Sequence, residues 1–168
     1  MSGFDVETYF LALNRAREER GLTWASLTRE LNAPFAHRRD IPPIASSTLT
    51  GMRSKGGLNG NTVVHTLMWL GRAPEDFAPD HPVPPRVLPP LEMGCLPRWD
   101  TTALRAAVDS HRVAMGLAWK EAASQVVRQG GLYSPGSLRQ LHAGFPAVMG
   151  LLAWLMRPAA DFVVNVRV

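Results

Sequence analysis

Residues 13–31 read LNRAREERGLTWASLTREL, and this stretch decides the fold. Upstream of it, Val6, Tyr9, Phe10 and Leu13 fall at i, i+3, i+4 and i+7, the stripe of an amphipathic first helix. That helix ends at Gly21, a glycine of the kind that closes a last turn, after an Arg-Glu-rich segment. Thr23 can cap a second helix with Leu27 and Leu31 on one face.

Working outward, a long connection runs from Asn32 to Ala45 and holds Pro34, Pro42 and Pro43. Ser46 or Ser47 can cap a short third helix that turns Leu49 and Met52 inward, with glycines 56, 57 and 60 ending it. Asn61 or Thr62 can start a fourth helix carrying Val63, Leu67 and Leu70. It stops at Gly71, and Pro74 opens a turn that tucks Phe77 into the core.

The scheme recurs. Residues 4–31 align without gaps on 99–126, matching at Asp5/Asp100, Ala12/Ala107, Arg17/Arg112, Gly21/Gly116, Leu22/Leu117 and Trp24/Trp119. WLGRAPEDF (69–77) faces WLMRPAADF (154–162), and STLTGM (47–52) faces GSLRQL (136–141). The offset falls from 95 to 89 to 85, so the second copy has shorter loops. The expected organisation is a first domain over 1–78, a linker over 79–98 and a divergent second domain over 99–168. Half of the chain's 14 prolines lie in APDHPVPPRVLPPLEMGCLPR (78–98), which disfavours helix and central strand and suits an extended polyproline II spacer. The tail VVNVRV (163–168) alternates weakly, the pattern of a short strand.

Charge narrows the function. Lys+Arg number 18 and Asp+Glu 14, a net +4. Residues 1–84 are neutral and 85–168 carry the whole excess, a modest attraction for phosphate. One cysteine, Cys95, excludes an intrachain disulfide framework, and the five histidines show no ligand spacing, so neither a metal nor a cofactor is expected. No nucleophile–base constellation or phosphate-cradling loop stands out, so an enzyme is not expected. MSGFDVETYF lacks a basic, then apolar leader, and no apolar run reaches ~18–20 residues, so a cytoplasmic, nucleoid-associated protein without membrane contact is expected.

LNRAREERGLTWASLTREL (13–31), SSTLTGMRSKGG (46–57) and NTVVHTLMWLGRAPEDF (61–77) together resemble the Cro/repressor-type (XRE-like) helix-turn-helix family. The resemblance covers most of both halves. It implies an all-α chain of two tandem four-to-five-helix lambda-repressor-like domains joined by the Pro-rich linker. It also implies that the third helix of each enters a DNA major groove. Two features depart from the family. The connection between the second and third helices exceeds the usual three or four residues, and Trp24 with Ala25, or Trp119 with Lys120, stands where a glutamine often begins the second helix.

On that resemblance, the DNA-contacting residues of the first copy are Ser46, Ser47, Thr48, Thr50, Arg53 and Lys55. Arg53 would read guanine and Lys55 would neutralise a phosphate. His37, Arg38 and Arg39 give the long loop a basic cluster beside them. The second copy offers Ser137, Arg139, Gln140 and His142. Its fourth helix, AVMGLLAWLM (147–156), is apolar all round and must bury itself on the first copy or on another chain. The expectation is a double-stranded-DNA-binding regulator, a repressor, built as a fused pseudo-dimer. Its half-sites would lie about 34 Å apart, within the ~65 Å reach of the linker. The rival reading is a protein-interaction module, antitoxin-like or an antiactivator, in which one or both units have lost DNA binding. The neutral first half, the long loop and the apolar helix favour it.

Overall fold

In the computed structural model, which describes residues 3–54, 59–131, 133–141 and 144–168, the chain is mostly helical. The first half contains α1 (Val6–Glu19), α2 (Trp24–Asn32), α3 (Ser46–Thr50) and α4 (Gly60–Leu70), then a 3₁₀ turn over Pro74–Phe77. The second repeats the order with α5 (Thr101–Ala114), α6 (Trp119–Arg128), α7 (Pro135–Gln140) and α8 (Phe145–Leu155), then a 3₁₀ turn over Ala159–Phe162.

The same local chemistry builds both copies. Asp5 caps α1 by accepting from the Thr8 amide at 3.0 Å, and Asp100 caps α5 by accepting from the Ala103 amide at 2.9 Å. Behind each cap, the amide of that aspartate donates at 2.7 Å to the carbonyl of the closing phenylalanine, Phe77 or Phe162. Gly21 and Gly116 take φ of +66° and +68°, a left-handed turn that other residues resist. Arg17 spans that turn by donating to the Leu22 carbonyl at 2.6 Å, and its guanidinium lies 4.7 Å from the Trp24 ring centre. Arg112 does the same with Leu117 at 2.8 Å and Trp119 at 4.6 Å. The Trp69 indole N–H donates to Glu30, and that of Trp154 donates to Gln125, so both tryptophans fix α2 or α6 to the fourth helix.

The halves share one continuous core. Their contact is reciprocal. Phe4, just before α1, packs on Phe145 at the head of α8, ring centres 4.7 Å apart. Trp99, just before α5, packs on Gly60 at the head of α4, where a Cβ would lie 2.9 Å from the indole nitrogen. Phe4 corresponds to Trp99 and Gly60 to Phe145, so residue i meets j and j meets i, the mark of a two-fold interface. Gly60 therefore begins α4 rather than ending α3, and Asn59 caps it. The apolar α8 finds its second surface inside the chain, with Met149, Leu151 and Leu152 fully enclosed.

The Pro-rich segment is not a free spacer. Leu88 is buried, Arg86 pairs with Asp161 at 2.5 Å, and the Gly94 amide donates to the Pro34 carbonyl. Its end is a strand, β1 (Cys95–Trp99), antiparallel to the tail strand β2 (Val163–Arg167) with Pro97 opposite Asn165. A two-stranded sheet has only edges, where a proline without an N–H is tolerated. Glycines 56 and 57 lie outside the described residues.

α4 carries His65, 2% exposed and packed on Phe35 at 5.6 Å. Burial holds its imidazole neutral, its pKa lowered from 6.5 to about 4. The unfolded chain takes up that proton below about 6.5, so stability falls as pH drops from about 6.5 to about 4. Denaturant unfolding across this window should lose about 3 kcal/mol, and His65→Phe should flatten the profile. A second prediction concerns the shared core. Phe145→Ala should cost about 3–5 kcal/mol and weaken amide-exchange protection in both halves together. A loss confined to 101–162 would contradict the shared core.

Candidate nucleic-acid interface

α3 is short because only Leu49 and, one turn on, Met52 anchor it to the core. Ser47 and Thr50 are exposed on its outer side. The Thr50 hydroxyl is used locally, donating to the Ser46 and Ser47 carbonyls at 3.2 and 3.4 Å. Ser46 is not a side-chain cap, since α3 begins at Ser46 after Ala45. Its hydroxyl instead lies 3.3 Å from that of Thr28 on α2. Thr48 turns away from the exposed side and lines a cavity with His65 and Arg98.

Arg53, expected to read a base, is engaged elsewhere. Its Nε donates to Glu7 of α1 at 2.9 Å, its Nη2 bonds the other carboxylate oxygen, and its guanidinium lies 5.1 Å from the Phe10 ring centre. The pair is half-exposed. Arg38 makes a two-pronged bond to Asp40 at 2.8 and 2.6 Å, and that bond holds the Asp40 carboxyl down to about 2. Arg39 and His37 are exposed in the same loop. Lys55 lies outside the described residues. The first face is thus rich in hydroxyls, and two of its cations are matched by carboxylates.

The second copy differs at the same place. Arg139 and Gln140 are exposed on α7, while Leu138 is buried. Ser137 is absorbed by its own helix, its amide and hydroxyl bonding Ser134 in a reciprocal cap. His142 lies outside the described residues. Arg139 borders a shallow surface depression of about 530 Å³ with Thr102, Arg105, Asp109, Arg112 and Trp119. The corresponding ground in the first copy is closed, because Phe10 stacks on Trp24 at 5.7 Å and 23° and Arg53 lies over Phe10. Offset 95 puts Arg105 at the Phe10 position and Thr102 at the Glu7 position, exchanging a ring for a cation and a carboxylate for a hydroxyl. Asp109 pairs with Arg112 at 2.7 Å. Among the described residues no carboxylate pairs with Arg105 or Arg139. The Arg105 guanidinium donates to the Gln140 carbonyl at 3.5 Å.

Arg105 was missed by reading α7 alone. The offset that aligns the copies would have found it. The arrangement offers two unmatched guanidinium groups beside an indole, a surface suited to backbone phosphates. Among the described residues no helix is long and apolar enough to cross a membrane, and no three His, Cys, Asp or Glu side chains gather as metal ligands. No family model, curated protein or solved structure matches the chain.

Because the Arg53–Glu7 pair is half-exposed, Glu7→Gln should shift folding stability by less than about 1 kcal/mol. Equilibrium unfolding measures this. A loss of several kcal/mol would mean that the pair fixes α3 on α1 rather than decorating it.

Proposed function

We propose that the chain is a sequence-specific DNA-binding transcriptional regulator, a repressor, in which two helix-turn-helix units are fused as a pseudo-dimer. The observation that carries this reading is the duplication itself. Each copy sets a short third helix on its core through a buried leucine, Leu49 or Leu138, and leaves polar side chains outside. Ser47 and Thr50 form the outward set in the first copy, Arg139 and Gln140 in the second. The copies divide the work. Arg105 and Arg139 draw in and hold phosphates, which supplies affinity without sequence information. Ser47, Thr50, Arg53 and Gln140 meet base edges, and Arg53 exchanges Glu7 for guanine when DNA arrives. Occupation of a promoter then blocks transcription.

A protein-interaction role is the second reading, and one observation favours it. The Arg53–Glu7 and Arg38–Asp40 pairs cancel cations on the first face, which removes the counterion release that normally drives DNA affinity. On this reading the first half docks a protein partner and the second keeps only a weak attraction for phosphate.

Salt titration of duplex binding separates them. The double variant Arg105→Ala/Arg139→Ala should lower the slope of log K against log salt by about two, near 0.9 per lost phosphate contact. Glu7→Gln should tighten binding by about fivefold, the ~1 kcal/mol of one exposed pair. Slopes unchanged by the double variant, with affinity gone by physiological salt, would favour the protein-partner reading.

A further inference from the structure

The reciprocal packing of the halves leaves a cavity of about 300 Å³ on one side of the chain. It opens between the long α2–α3 loop, the head of α4 and strand β1. That volume is at the lower end of the ~300–1,000 Å³ typical of small-molecule sites. Its walls are of two kinds. Phe35, Ile41, Pro42 and Leu96 supply apolar surface, while Arg98 and His65 supply polar groups.

Both polar groups are set for a ligand. Among the described residues no carboxylate pairs with Arg98, and its one hydrogen bond goes to the adjacent Pro97 carbonyl at 3.2 Å. Partial burial already disfavours its charge, so an anion here would be held by a poorly hydrated guanidinium. His65 is 2% exposed and lines the same cavity. Its Nε2 has no partner among the described residues. A neutral imidazole has one accepting nitrogen, and an unpartnered Nε2 is open to take that part toward a ligand donor. A buried acceptor without a donor costs on the order of 1–3 kcal/mol, and a ligand hydroxyl or amine would recover that. The matching place in the second half is filled, because Gly150 and Gly131 stand in backbone contact where the first half has His65.

We propose that this cavity binds a small organic carboxylate with an apolar body and a hydroxyl or amine. The carboxylate bonds Arg98, the donor group bonds His65 Nε2, and the body lies on Ile41, Pro42 and Leu96. Thr48 lines the same cavity from α3, so an occupant touches the third helix. Its use as an effector site rests on the regulator reading, whereas the binding itself does not.

The test is a titration of the isotope-labelled chain with 4-hydroxybenzoate, followed by nuclear magnetic resonance without DNA. Saturable shifts are expected at the Thr48, Thr62 and Leu96 amides and at His65 Nε2, with Kd near ~1 mM, a value normal for so small a ligand. Benzoate, which lacks the hydroxyl, should bind at least about fivefold more weakly, a loss of ~1 kcal/mol. Arg98→Gln should weaken 4-hydroxybenzoate by at least about tenfold, ~1.4 kcal/mol, while the rest of the spectrum overlays. If that variant unfolds, Arg98→Lys replaces it and should weaken binding severalfold, because the charge remains and the fork is lost. Absence of shifts at these residues up to about ten times that Kd, or equal binding by the Arg98 variant, would overturn the proposal. Shifts in a chain that binds no DNA would leave the site standing and remove only its regulatory role.

Discussion

Everything in this chain depends on one exchange of contacts. The aromatic residue before the first helix of each half packs on the head of the fourth helix of the other half. Neither half, at about 70–75 residues, has enough interior to enclose a helix as apolar as α8. Sharing one core solves that problem for both. The exchange is also size-matched. The small head, Gly60, receives the large Trp99, and the large head, Phe145, receives Phe4. A side chain at residue 60 or a larger ring at residue 4 would force the halves apart. The Asn61 side chain adds a polar tie by accepting from the Trp99 amide at 3.2 Å.

Two copies within one chain are free to diverge in a way that the identical subunits of a homodimer are not, because each face is encoded separately. The first copy closes its α1 surface with Phe10 on Trp24 and matches Arg53 with Glu7. The second opens the same ground with Arg105 and Thr102. The charge asymmetry between halves, neutral against +4, is the sequence-level shadow of that difference. The same divergence makes the interior asymmetric. Gly131 and Gly150 approach backbone to backbone on one side, whereas Phe35 and His65 hold the other side apart beside the cavity.

Much of the helical scheme was legible in the sequence because the signals are local. The Thr23 cap, the Gly21 and Gly71 stops and the i, i+3, i+4 stripes each act within a turn or two. The repeat offsets of 95, 89 and 85 reappear in the element order of the two halves. What was hidden is long-range. Gly60 looked like a helix stop because its reason for being glycine, Trp99, lies in the other half. The Pro-rich segment looked like a spacer because proline density says nothing of Leu88 in the core or of a tail strand paired with β1. Arg53 looked free for a base because Glu7 is on another helix. Lys55 and His142 lie outside the described residues, so those two expectations stand as the sequence left them.

The most direct test of the central claim is selection from a pool of random duplexes by the intact chain, followed by sequencing and by footprinting of the winner. The account predicts one enriched site with two unequal half-sites, about 34 Å apart if the units follow the usual spacing, occupied by a single chain. A pool that returns no motif, from a chain that is folded and monomeric, would contradict it.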